Sequence, residues 1–180
     1  MKKTGKIVIV LFALVLALSL ATSASAIALD PVADLGTWQK FFFGGVGSSS
    51  SDNYTFTLTD TLSFYVTDAY QIGDVFDVYD GAILIGSTNF VAMDASEPIS
   101  PLGDQALTQQ AYDSGLYSVG EFVLGAGIYD MSMITAVSPF GSGGAYVKLD
   151  TSTAIPEPGT MLLLGTGLIG LAYSRRKLNK

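Results

Sequence analysis

The chain has 180 residues, a length that fits one domain, and it contains neither His nor Cys. The absence of both residue types excludes disulfides, thiolate nucleophiles, imidazole bases and Cys/His zinc sites. The net charge of −7 argues against nucleic acid as a partner, because phosphate binding needs clustered Lys and Arg.

The charges are unevenly distributed along the chain. Seven of the nine basic residues lie within the first six or the last six positions. Residues 27–156 hold 15 acidic residues and only two basic ones, Lys40 and Lys148, which gives this stretch a net charge of −13. The sequence therefore consists of a strongly acidic middle between two basic ends.

The N-terminus has the order of a secretory signal. Three lysines precede a predominantly apolar segment at 7–20, and small residues follow, with Ala24-x-Ala26 as the site for signal peptidase. As a helix the apolar segment would span about 21 Å, short of a hydrocarbon core of ~30 Å, and a retained membrane anchor is the alternative interpretation. We expect residues 1–26 to be removed, so that Ile27 begins the exported chain.

Residues 27–154 are predicted to form an all-β ectodomain, an antiparallel β-sandwich or jelly roll. Apolar residues alternate with polar ones in two successive segments, and β-branched and aromatic types dominate both. Short strands separated by Gly-rich turns are typical of such folds. The alternating apolar positions are Tyr54, Phe56 and Leu58, then Leu62, Phe64 and Val66.

Further along the chain we predict two hairpins and a final strand. Asp80-Gly81 separates two apolar segments and predicts a hairpin with a type I′ turn. A second hairpin is predicted around the glycines at 125 and 127, and residues 145–149 form the last strand. Residues 44–53 are predicted to be a flexible loop, and Asp104 to cap a short helix.

The C-terminus contains a second targeting segment. Its parts, in chain order, are the motif Pro156-Glu157-Pro158, an apolar segment at 161–173 and the basic residues Arg175, Arg176 and Lys177. The prolines hold the motif extended, because each fixes its own φ and restrains the residue before it. We predict a short transmembrane helix at 161–173, whose basic tail stays cytoplasmic under the positive-inside rule.

This arrangement resembles the PEP-CTERM sorting tag of bacterial exosortase substrates. The resemblance implies that exosortase recognises the motif at 156–158 and removes or exchanges the tail, residues 155–180, after a transient stay in the inner membrane. It also implies delivery to the surface of a bacterium that makes exopolysaccharide. The segments Asp74–Thr88 and Tyr117–Leu149 resemble ectodomains common among such proteins, which carry no known catalytic residues.

The acidic middle offers one candidate metal site. Asp74, Asp77 and Asp80 recur every three residues, and calcium binds six to eight oxygens. On an extended strand Asp77 points away from Asp74 and Asp80, so these two are the candidate ligands. The simpler interpretation is solvated turn residues, and no cofactor other than calcium is predicted.

Certain aromatic and acidic residues could serve carbohydrate chemistry. Trp38 with the phenylalanines at 41–43 would suit either a sugar-stacking platform or a first core strand, on which at least one Phe is exposed. A glycosidase would use two carboxylates. Glu121 is the only glutamate within a predicted strand, and an outward strand face explains it.

These observations predict a non-enzymatic, exported protein of the cell surface or exopolysaccharide matrix, with a structural or adhesive role. The second hypothesis is a carbohydrate-binding module, assisted or not by calcium. A carboxylate-dependent glycosidase is the third. Expected partners are signal peptidase, exosortase, the inner membrane during export, and exopolysaccharide or other surface components.

The first prediction concerns export. Mass spectrometry of the exported protein should give Ile27 as its first residue. Replacing Ala26 with a bulky residue should slow processing, because the peptidase pocket accepts small side chains. Exported protein that begins at Met1 or Lys2 would contradict the assignment.

Overall fold

The computed structural model describes residues 25–96 and 98–151. Within this part of the chain no helix has the length and apolarity needed to cross a bilayer. The predicted signal segment, except for its last two residues, and the whole C-terminal targeting segment lie outside the described residues. The elements are β1 Ser25–Ala28, β2 Gln39–Phe43, β3 Asp52–Leu58, β4 Leu62–Asp68, β5 Val75–Asp80, β6 Ile83–Ser87, α1 Gln105–Asp113, β7 Val119–Leu124, β8 Gly127–Val137 and β9 Gly143–Thr151.

The strands form two sheets, as predicted for a β-sandwich. One sheet has five strands in the order β1-β3-β8-β5-β6, and the other has four in the order β2-β9-β4-β7. The pairs β5–β6, β4–β7, β3–β8 and β2–β9 are nested around one another and all antiparallel. This nesting is the strand order of a jelly roll, to which β1 adds an edge strand parallel to β3.

The main core fills the space between the two sheets. Predicted inward residues of β3 and β4 are buried there, including Tyr54, Phe56 and Phe64. Aromatic rings from opposite sheets touch: Phe56 stacks on Phe64 with centroids 6.0 Å apart. The prediction of a sandwich with alternating inward residues is confirmed.

The first predicted hairpin forms, but its turn differs from the prediction. Asp80 pairs with Ile83, so the two central residues are Gly81 and Ala82 rather than Asp80 and Gly81. Only Gly81 has a positive φ, of 54°, and this fits a type II′ turn. The prediction of type I′ was wrong because the strand register places glycine at the first central position.

The second predicted hairpin does not form. Strand β7 pairs with β4 in the four-stranded sheet, whereas β8 pairs with β3 and β5 in the other sheet. The glycine-rich residues between them therefore cross from sheet to sheet. Period-two patterning shows which side of a strand is buried but not which strand is its neighbour, so the two arrangements look alike in sequence.

The serine-rich segment at 44–53 is bound to the sandwich rather than free. Ser50 is buried, and its backbone N–H donates to the Met133 carbonyl at 2.7 Å. Thr135 N–H in turn donates to the Ser48 carbonyl at 3.0 Å. The segment extends the β3–β8 ladder, which composition alone did not show.

Helix α1 is capped as predicted and covers the outer face of the four-stranded sheet. The Asp104 side chain accepts a hydrogen bond from Leu107 N–H at 3.0 Å, and this satisfies an N–H that has no partner within the helix. Below the helix lies a small second core of Trp38, Tyr65, Ala69 and Tyr146. Strand β4 is therefore buried on both faces.

The predicted cleavage site lies at the edge of the five-stranded sheet. Ala26 is exposed and pairs with Asn53, whereas Ile27 packs against the main core. Leu29 is buried, and its N–H donates to the Thr55 carbonyl at 2.9 Å. Cleavage after Ala26 would therefore keep Ile27 and Leu29, the two residues that pack this edge of the sheet against the core.

The second prediction tests the β5–β6 turn. Gly81→Val should lower the unfolding free energy by about 1–3 kcal/mol, because a β-branched residue is strained at positive φ. Gly125→Val is the matched control, since both glycines have open space around them but only Gly81 has a positive φ. Chemical denaturation that shows equal effects for the two variants would contradict the turn assignment.

Candidate functional site

The two aspartates predicted as metal ligands lie at opposite ends of β5. Asp74 precedes the strand and Asp80 is its last residue, a separation of about 20 Å for an extended chain. One ion therefore cannot be bound by both. No group of three acidic side chains that could hold a metal ion is found within residues 25–96 and 98–151.

Trp38 is buried beneath α1 and offers no ring to a sugar. Its backbone N–H donates to Gln105 Oε1 at 2.7 Å, and Gln105 Nε2 donates back to the Trp38 carbonyl at 3.0 Å. Its indole Nε1–H donates to Gln109 Oε1 at 3.2 Å. Of the two interpretations of Trp38, the packing one is correct.

Strand alternation separates the three phenylalanines that follow. Phe41 and Phe43 lie in the main core, and Phe42 is 57% exposed on the outer face. The prediction that at least one ring is exposed is confirmed. Lys40 shares this outer face, because it lies two residues before Phe42, and its Nζ is 4.5 Å from the centre of that ring.

Both lysines of the acidic domain lie on this outer face of the four-stranded sheet. Lys40 Nζ donates to the Tyr70 hydroxyl at 3.0 Å. Lys148 is buried near the helix, where its Nζ donates to Asp150 Oδ2 at 2.9 Å and to Gln109 Oε1 at 3.0 Å. Each ammonium also lies within about 5 Å of two aromatic rings, a cation–π arrangement.

A cleft of about 330 Å³ surrounds Lys148. Glu121 faces outward here, as predicted, and its Oε1 accepts hydrogen bonds from Ser63 Oγ at 2.8 Å and the Tyr65 hydroxyl at 2.9 Å. Burial acts to raise the pKa of Asp150, but hydrogen bonds from Lys148 and the Thr151 N–H together lower it below its usual value. The polar groups of this cleft thus bind largely to one another.

A second, smaller cavity lies between the β4–β5 and β8–β9 loops, and we call it the Asp74 cavity. Its volume is about 210 Å³. Both loops cross from one sheet to the other, so the cavity lies at an end of the sandwich. It is lined by Ala69, Tyr70, Gln71, Asp74, Phe140, Ser142, Gly143 and Gly144.

Asp68 is fully buried beside this cavity. Its carboxyl accepts three backbone hydrogen bonds, from Ala69 at 2.7 Å, Asp74 at 3.2 Å and Gly73 at 3.3 Å. Burial, followed by the nearby charge of Asp74, raises the pKa of Asp68 to about 8, although the three N–H donors act in the opposite direction. Burial also raises the pKa of Asp74, although a hydrogen bond with the Ser138 side chain acts in the opposite direction.

The sequence analysis paired Asp74 with Asp80 as calcium ligands, whereas the structure places Asp74 near Asp68. It did not identify Asp68 or Tyr70. The available signal was the pair of aspartates six residues apart around Gly73, because Asp side chains commonly accept backbone N–H groups in turns. Tyr70 has a positive φ of 79°, which is rare for a bulky residue. Such a backbone conformation leaves no signal in the sequence.

Residues 154–177 match the PEP-CTERM protein-sorting motif, which confirms the resemblance based on the motif and basic tail. The motif indicates an exosortase-sorted protein of the cell surface. No curated protein is significantly similar to the chain. Among solved structures, the chain is similar to the pre-peptidase C-terminal domain of a collagenase from Bacillus anthracis, with 14% identity, a TM-score of 0.40, and coverage of 71% of this chain and 94% of that one.

The third prediction concerns pH. Between about pH 4 and pH 8, native Asp68 keeps a proton that the unfolded chain has lost, so the unfolding free energy should fall as pH rises. The slope from one such group is about 1.4 kcal/mol per pH unit. Asp74 should act in the same direction.

Denaturation of Asp68→Asn between pH 5.5 and 8 tests this prediction, since ordinary carboxyls have finished titrating by about pH 5.5. The variant should be less stable overall, because its amide NH₂ would face a backbone N–H donor. Its unfolding free energy should nevertheless fall less steeply with pH than that of the parent. Asp60→Asn, which replaces an exposed acid, is the control. An unchanged slope in Asp68→Asn would contradict the buried neutral form.

Proposed function

We propose that residues 27–154 are a structural or adhesive, non-enzymatic component of the bacterial surface or exopolysaccharide matrix. The observation that carries this proposal is the sorting motif at 154–177, which begins three residues after β9 ends at Thr151. The folded sandwich is therefore the part of the chain that such sorting would deliver.

Export would follow two steps at the two ends of the sandwich. Signal peptidase cuts after Ala26, and exosortase then acts at the motif Pro156–Pro158 while the C-terminal segment holds the chain in the inner membrane. The fold is compatible with the first step, because Ile27 and Leu29 keep the edge strand anchored after the cut.

An adhesive role is supported by apolar side chains on the two neighbouring sheet edges. On β6 the exposed fractions are 67% for Ile83 and 52% for Leu84, and on β7 Val123 is 63% exposed. Both strands are last in their sheets, and edge strands present unpaired backbone groups to other chains. These edges suit contact with other matrix components.

A non-enzymatic role is supported by the way the carboxylates are used. Glycosidases use one carboxyl as an acid and a second as a base or nucleophile. In the Lys148 cleft, Asp150 is paired with the lysine, and Glu121 accepts two hydroxyl hydrogen bonds. Both side chains thus have structural partners.

Carbohydrate binding is the second candidate function, and the Asp74 cavity favours it. The cavity combines a carboxyl with the partly exposed Phe140 ring, a pairing that suits a sugar. Calcium bridging between the many surface carboxylates and an anionic glycan remains a related proposal, without a defined site.

The fourth prediction concerns sorting. Changing Pro156, Glu157 and Pro158 together to alanine should leave the tail attached and keep the protein in the inner membrane. Fractionation and surface labelling of intact cells measure the outcome. Alanines at Ser152 and Thr153, which lie just before the matched motif, should leave delivery normal.

A second variant examines the basic tail. Replacing Arg175, Arg176 and Lys177 by glutamine should impair the same step, because membrane orientation depends on cytoplasmic positive charge. Normal surface delivery of both the motif variant and the tail variant would refute the proposed function.

A further inference from the structure

The Asp74 cavity holds a buried acceptor that lacks a partner. Asp74 is only 6% exposed and lines the cavity. The Ser138 side chain hydrogen-bonds the Asp74 carboxyl and lowers its pKa, but the Oδ1 atom itself is buried and, within the described residues, has no hydrogen-bond partner. A buried oxygen left unpaired is costly, and nearly all such atoms in native proteins are satisfied by protein, water or ligand. This position therefore calls for a hydrogen-bond donor.

One wall of the cavity, Tyr70, is held in place through residues that do not themselves line the cavity. Tyr70 has a strained positive φ. Its hydroxyl accepts a hydrogen bond from Lys40 Nζ and shares one with the Tyr146 hydroxyl, both at 3.0 Å. The Tyr146 hydroxyl also accepts from Gly103 N–H at 2.9 Å. Strained residues persist only where the surroundings enforce them, and they cluster at ligand sites.

The β8–β9 loop and the first two residues of β9 form the other side of the cavity. Gly143 and Gly144 line the cavity without side chains. A Cβ on Gly144 would lie 2.7 Å from Lys40 Cε and 3.4 Å from the Tyr70 ring, so the glycine allows that close packing. Phe140 lines the same cavity and is 39% exposed.

We propose that the Asp74 cavity binds one neutral pyranose unit of a polysaccharide. The Asp74 carboxyl, which lines the cavity, accepts a hydrogen bond from a sugar hydroxyl, and the Phe140 ring covers an apolar face of the pyranose. The volume of about 210 Å³ fits a single ring. This inference rests on the proposed function at the cell surface or in the matrix. It names the class of ligand for carbohydrate binding, the second candidate function given above.

Charge disfavours a uronic acid at this cavity, and the number of available oxygen ligands disfavours a calcium ion. A uronic acid would bring a second anion next to Asp74, in a domain whose net charge is already −13. A calcium ion needs six to eight oxygens, and both carboxyl oxygens of Asp68 already accept backbone N–H groups. A neutral, hydroxyl-rich ring satisfies Asp74 without either difficulty.

The test uses the exported protein, labelled with ¹⁵N and titrated with the methyl glycosides of glucose, galactose, mannose and N-acetylglucosamine. At least one should bind saturably and shift the amide signals of Tyr70, Asp74, Gly143 and Gly144. Methyl glucuronate and calcium chloride are titrated separately. The proposal requires that neither of them binds the cavity more tightly than the neutral sugar.

Two variants locate the site. Asp74→Ala should weaken binding roughly ten- to hundredfold, as expected for loss of a charge-assisted hydrogen bond. Phe140→Ala, at a surface position, should also weaken it and keeps the test valid if the buried variant is unstable. Asp60→Ala and Phe90→Ala, which remove an exposed acid and an exposed ring elsewhere, should bind as the parent does.

Several outcomes overturn the proposal: no saturable sugar binding, shifts confined to other residues, variants that bind like their controls, or tighter binding of calcium or glucuronate. These results are independent of sorting. A protein that reaches the surface but binds no sugar overturns this inference alone. A protein that binds sugar but stays in the inner membrane when its motif is intact overturns the proposed function alone.

Discussion

Contact between aromatic rings of opposite sheets is the interaction on which the rest of the structure depends. Phe76 of β5 meets Phe41 and Phe43 of β2 at centroid distances of 5.4 Å and 4.9 Å, both edge to face. The chain has no cysteine, and its acidic residues repel one another. Burial of apolar area must therefore hold the two sheets together.

The nested strand order explains where the polar features lie. Because β4–β5 and β8–β9 both cross between sheets, their loops meet at an end of the sandwich and enclose the Asp74 cavity. The outer face of the four-stranded sheet, which α1 covers in part, collects both lysines of the domain over aromatic rings. Cations are scarce in this domain, and the fold uses them to pack against rings and to pair with a carboxylate rather than to form an exposed basic patch.

The sorting motif and the Asp74 cavity bear on two different parts of the proposed function, namely delivery of the domain and its contacts after delivery. The motif, a sequence match at residues 154–177, indicates export to the cell surface. The cavity concerns what the delivered domain contacts. Its strained Tyr70 and buried Asp68 and Asp74 are costly features, and such costs are commonly kept where a ligand binds.

The sequence by itself determined the targeting motif, the all-β class, the buried alternating residues of β3 and β4, and the cap at Asp104. All of these features depend on the order of residues within a short segment or on a two-residue hydrophobic period, and both can be recognised in the sequence alone. Only the tertiary structure decided that β7 and β8 lie in different sheets, that Trp38 is covered by α1, and that Asp74 faces a cavity near Asp68 instead of joining Asp80. These outcomes depend on which distant segments become neighbours. Which strands pair depends on the apolar area buried over the whole domain, and a local sequence pattern therefore cannot predict it.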